Sequence, residues 1–171
     1  MTITVITLTA AAAAALWDAR TRRIPNCITF PAIILGLIIN TYYFGWAGLK
    51  VSLLGLAVGL LLLIIPFALG GMGAGDVKLM AAVGALNGAG FAFYAFIYSA
   101  LAGGVIAVIL LIIRGQVKPV FFNLFIGLGN LAAGIRSEKG ERRDLLPVDS
   151  GIRFPYGIAI MLGTIAACWM V

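Results

Sequence analysis

The chain has 171 residues, of which 63% are hydrophobic and 11% charged, with 12 Lys and Arg against 6 Asp and Glu and no histidine. Its mean hydropathy is +1.12. Soluble domains average about 45–50% apolar and about 25% charged residues, so this chain cannot build a polar outer shell and a water-soluble globular domain is excluded. The net charge of +6 falls in short clusters between apolar runs, which marks membrane topology and not a nucleic-acid footprint.

Segment one, Thr2 to Trp17, is apolar and alanine-rich. Its Ala13-Ala14-Ala15 run is similar to a signal-peptidase site, but no Lys or Arg precedes it, so it is read as a retained span. A basic cluster follows, Asp18-Ala19-Arg20-Thr21-Arg22-Arg23-Ile24-Pro25-Asn26. Pro25 suits the first turn of a helix, where its missing N–H has no partner to lose, and opens segment two, about 26–44. Residues 45–48 make a turn, and segment three covers about 49–69. It ends in the glycine-rich break Gly70-Gly71-Met72-Gly73-Ala74-Gly75-Asp76-Val77-Lys78.

The apolar stretch from Val77 to Ile113 is too long for one crossing and divides at Asn87-Gly88-Ala89-Gly90 into segments of about 77–87 and 91–113. At 1.5 Å per residue the first of these spans about 16 Å of a core about 30 Å thick, so the glycine-rich stretch is expected to dip into the membrane. Residues 114–153 are polar and hold Glu138, Glu141, Asp144 and Asp149; segment six covers about 154–171. Val117 to Ile135 could pose as a seventh span. With six spans the basic residues divide 11 to 1, with Lys50 alone on the far side, whereas a seventh makes the division 6 to 6. The expectation is therefore an all-α integral membrane protein, one polytopic domain of six transmembrane helices. Val117 to Ile135 lies along the interface or re-enters the membrane within a cytoplasmic region 114–153, and both termini lie on the outer side. That region is read either as a cover near the active site or as a solvated connection. Cys27 and Cys168, with no CxxC spacing, read as packing residues.

Outside the polar region the chain has two acids, Asp18 and Asp76, each where an apolar segment meets a basic cluster. Segments one and three both run toward the cytoplasm, so both carboxylates arrive on one face of the membrane. One reading makes them helix-end residues, Asp76 capping the next segment and Asp18 pairing with Arg22 at i+4. The other makes them a pair that shares one proton and activates water. Gly73 and Gly75 allow close backbone approach ahead of Asp76. Lys78 either holds the local potential positive or sets topology. Arg20, Arg22 and Arg23 are read as cytoplasmic anchors.

The sequence resembles the prepilin peptidase family, membrane aspartic peptidases with a GxGD motif. The resemblance rests on Asp18 followed by Arg23-Ile24-Pro25-Asn26, on Gly73-Ala74-Gly75-Asp76-Val77-Lys78, and on Pro155-Tyr156-Gly157 opening the last segment. It implies that Asp18 and Asp76 are catalytic, that Gly73, Gly75 and Lys78 form the active-site loop, and that Arg23, Pro25, Asn26, Pro155, Tyr156 and Gly157 contact substrate. It further implies cleavage of a basic prepilin or pseudopilin leader at the cytoplasmic face of the inner membrane. Larger members carry a CxxC-bearing insert between the first two spans. Here only residues 18–26 join those spans, which makes this chain similar to the short peptidases of tight-adherence (Flp) pili and preflagellins and makes N-methyltransferase activity doubtful. Expected partners are the prepilin substrate and the lipid bilayer, with no nucleic acid. No cofactor or metal is expected, since no His or third acid completes a metal site. The competing readings are a small proton-coupled transporter using the same acids and a non-catalytic assembly factor.

Overall fold

The computed structural model describes residues 2–113, 115 and 156–170, and every regular element among them is a helix. These are α1 (Thr2–Thr21), α2 (Asn26–Ala68), α3 (Ala74–Asn87), α4 (Ala89–Ile113) and α5 (Tyr156–Met170). Helices α1, α2 and α4 are long and apolar enough to cross a membrane, α5 is a shorter apolar helix, and α3 has only 14 residues. Exposed Tyr42, Tyr43, Trp46 and Trp169 are the amphipathic aromatics expected at a membrane–water boundary. The interfacial or re-entrant segment expected at Val117 to Ile135 and the remainder of the polar region, apart from Gly115, lie outside the described residues.

Helix α2 runs for 43 residues with a single non-helical position, Gly45, at φ 59 and ψ −138. Two arms result, 26–44 and 46–68. The turn expected over 45–48 shrinks to one residue because a glycine in the left-handed region redirects the chain at little steric cost. The arms then lie against each other: a side chain at Gly48 would strike the Asn40 backbone carbonyl. Helix α3 begins at Ala74, earlier than the expected 77. Gly75 and Asp76 are thus helical, and the non-helical link shortens to 69–73, with Gly70 at φ 77.

The chain forms two units, one of Met1–Gly104 with Phe154–Val171 and one of Val105–Arg153. In the first, α3 is the centre: Asp76, Val77 and all of 79–86 are buried, so the helix has no lipid-facing side. Its neighbours approach at backbone distance. A Cβ on Gly36 would stand 2.8 Å from the Ala85 carbonyl, Gly59 packs on Met80, and Gly55 and Gly84 face each other so closely that a Cβ on either would overlap the other's carbonyl. Polar side chains tie the same surfaces. Ser52 Oγ donates to the Ala85 carbonyl at 2.6 Å, Asn40 Nδ2 to Ala85 and Leu86 at 3.1 and 3.0 Å, and Asn87 Nδ2 to Thr7 Oγ1 at 2.8 Å. Small residues and interhelical hydrogen bonds are what bind helices where lipid removes the hydrophobic drive. Cys27 is exposed and does not pack against protein as expected, while Cys168 is partly buried.

Overpacking such contacts costs about 1–3 kcal/mol. Gly55→Ala and Gly84→Ala are each expected to lower the melting temperature in detergent by several degrees. Gly90→Ala, where a Cβ meets nothing within 4 Å, is expected to leave it unchanged; calorimetry or thiol-reactive dye unfolding checks both.

Candidate active site

The buried residues of α1 are Thr7, Ala11, Ala14, Ala15 and Asp18, a stripe at helical spacing. Asp18 therefore extends the face that packs into the bundle, and it is only 5% exposed. The helix closes at Arg22, whose φ of 54 is left-handed and whose N–H donates to the Asp18 carbonyl at 2.7 Å. Arg22 is exposed and forms no ion pair with Asp18 among the described residues, so the side-chain pairing anticipated for these two is replaced by a backbone contact. The turn then folds Ile24 onto Gly75. A Cβ at Gly75 would stand 2.8 Å from the Ile24 Cβ and 3.2 Å from its N and O. Gly75 thereby admits the turn after α1 to the first turn of α3.

Asp76 occupies the third position of α3 and is 7% exposed. Its Oδ2 accepts the Gly73 N–H at 3.0 Å. This is half of a capping box, since Gly73 has no side chain to return the bond. Its Oδ1 is buried and has no hydrogen-bond partner among the described residues.

Asp18 is held from a third direction. Gly157, second residue of α5, donates its N–H to Asp18 Oδ2 at 2.9 Å. First-turn amides of a helix have no partner within it, and the positive end of the helix favours a negative charge there. Glycine makes the approach close, since a Cβ would lie 3.0 Å from both Cβ and Oδ2 of Asp18 and that side chain would have to give way. The adjacent Tyr156 is half-buried, packs on the hydrophobic core and is in electrostatic contact with Asp76.

The two carboxyls also sense each other. Burial pushes Asp76 up to about 6, the Gly73 hydrogen bond pulls it back, and the Asp18 charge adds a smaller upward push. The charge on Asp18 thus disfavours ionisation of Asp76. Among the described residues no group of three or more His, Cys, Asp or Glu is placed to hold a metal ion.

Of the residues singled out in the sequence, Asp18, Asp76, Gly73, Gly75, Tyr156 and Gly157 come together where α1, α3 and α5 meet. Lys78 turns aside. Its Nζ donates to Asn26 Oδ1 at 2.9 Å and lies 5.3 Å from the Phe30 ring centroid, and the influences on Asp76 are burial, Gly73 and Asp18 rather than Lys78. Pro25 is the N-cap of α2, one position before the first turn anticipated for it, and Arg23 is exposed. Pro155 lies outside the described residues. Sequence reading missed Ile24 as the residue seated on Gly75, and Phe30 under Lys78; an apolar residue inside a basic cluster was the available signal for the first.

The model of the type IV leader peptidase family matches residues 5–108, a stretch that contains both acids and stops short of α5. No curated protein and no solved structure gives a match.

The Lys78–Asn26 bond joins the starts of α2 and α3 across 52 residues of sequence. A double-mutant cycle of Asn26→Ala and Lys78→Met is expected to give a coupling of about 1 kcal/mol, read from unfolding in detergent.

Proposed function

The chain belongs to the type IV leader peptidase family, and on that footing we propose that it is an aspartic endopeptidase in which Asp18 and Asp76 activate water to cut the leader from a prepilin. The observation that carries the proposal is the meeting of these two buried acids. They come from different helices, each is held by one backbone N–H, and they are close enough for the charge of one to raise the other. A buried pair sharing one proton supplies a base to deprotonate water and an acid for the carbonyl and the leaving amine. No metal or organic cofactor enters this reading.

The site belongs at the cytoplasmic face of the inner membrane. Arg20, Arg22, Arg23 and Lys78 gather at the end of the bundle that carries the acids, while Lys50 stands near the Gly45 turn, at the other end; this asymmetry supports a cytoplasmic orientation by the positive-inside rule. In this arrangement α1, both arms of α2, α4 and α5 cross the bilayer, and α3 enters from the cytoplasmic side within their enclosure. That is the six-segment layout, with α3 as its short member. The substrate is a prepilin or pseudopilin whose leader meets the site at the membrane surface, next to Arg23, Pro25, Asn26 and the start of α5.

Asp18→Asn and Asp76→Asn are each expected to cut leader removal by at least about 100-fold with membrane levels unchanged. The measurement is co-expression with a prepilin and a gel shift between precursor and mature forms. Full processing by either variant overturns the aspartic mechanism, and proton-coupled flux in liposomes that depends on both acids then selects the transporter reading.

A further inference from the structure

Resting on the reading of Asp18 and Asp76 as the water-activating pair, we propose that their single proton resides on Oδ1 of Asp76, which gives it to the scissile carbonyl oxygen, while Asp18 is the carboxylate that takes a proton from water. The two acids are nearly equal in burial and each accepts one backbone N–H through Oδ2, so neither feature separates them. Their second oxygens do. Among the described residues the buried side-chain polar atoms without a hydrogen-bond partner are Thr29 Oγ1 and Asp76 Oδ1, and no oxygen of Asp18 is in that state.

An ionised carboxylate with a buried, unpartnered oxygen is far more costly than a neutral acid with one unmet O–H, and such a group keeps its proton. The charged and titratable groups that act on Asp76 lead to the same assignment. From α1 the Asp18 charge favours the protonated form, and on α3 itself the Lys78 ammonium is turned to Asn26 and Phe30. Both acids accept an N–H at a helix amino end, Asp18 from α5 and Asp76 from the residue before α3, so what distinguishes them is the unmet Oδ1 of Asp76. An unmet O–H is also a donor in waiting, and the scissile carbonyl of a bound leader is the acceptor that satisfies it.

The step balances. Water loses a proton to Asp18 as its oxygen bonds to the carbonyl carbon, and the carbonyl oxygen takes the proton from Asp76, giving a neutral gem-diol. The proton on Asp18 then passes to the amide nitrogen as the C–N bond breaks. One gem-diol hydroxyl returns its proton to Asp76 as the new carboxyl forms, which restores the pair with its single proton.

The test is infrared difference spectroscopy on the full-length protein in liposomes at pH 5, below the value of about 6 for Asp76. Wild type minus Asp76→Asn is expected to show loss of one protonated-carboxyl C=O band that shifts in D2O. Wild type minus Asp18→Asn is expected to show loss of carboxylate bands only. A protonated band that disappears with Asp18, or with neither acid, overturns the assignment. Should Asp76→Asn not fold, Asp76→Glu is expected to move the band and Asp18→Glu to leave it in place, and the opposite pattern overturns the proposal. Leader cleavage by the same preparations separates the two claims: processing intact in the Asn variants removes the peptidase mechanism, whereas processing lost with the band following Asp18 removes only the proton assignment.

Discussion

Helix α3 is buried on every side, and most of the architecture follows from enclosing it. A 14-residue helix too short to cross a bilayer cannot leave polar backbone at its ends facing lipid. It must be wrapped by longer helices, and the wrapping must be close. Gly36, Gly55 and Gly59 of α2 meet the α3 backbone, with Gly84 answering Gly55 from the α3 side. Because these are backbone-to-backbone contacts, the depth of α3 within the bundle is set with little freedom. The first turn of α3, with Asp76 on it, is held in place by the same contacts.

Around that first turn each buried carboxyl receives a main-chain donor on one of its oxygens. Gly73 and Gly157 supply one N–H each, from the link before α3 and from the start of α5. A side-chain cation in either place would lock both acids into the charged form. Amides orient a carboxyl and leave its proton free to move. The basic residues nearby accordingly look outward, with Arg22 and Arg23 exposed and Lys78 committed to Asn26 and Phe30.

The helical segments were legible because apolar runs and glycine breaks mark them directly, and the boundaries fell within a few residues wherever the structure describes them. The two acids stood out for a similar reason, since a carboxylate among so few charges is conspicuous. What stayed hidden was three-dimensional. Nothing in the local pattern says that Gly45 alone turns α2, that Gly75 is small because Ile24 sits on it, or that Gly157 hydrogen-bonds an acid 139 residues earlier. Helical periodicity reports which face of a segment is buried, but a glycine carries no hydrophobic signal to say against what. Asn40 and Ser52 were legible in principle, as polar residues within apolar arms, and their partners on α3 were not.

The bond from Gly157 to Asp18 also orders events in time. Asp18 lies on α1 and its donor on α5, made 139 residues later. At about 5–20 residues per second, on the order of ten seconds separate the two on the ribosome. Through that interval the carboxyl of Asp18 has no α5 amide to orient it, and the newborn membrane bundle holds one acid of the pair loose. The cluster around the two acids is therefore completed only as α5, the last described helix, docks.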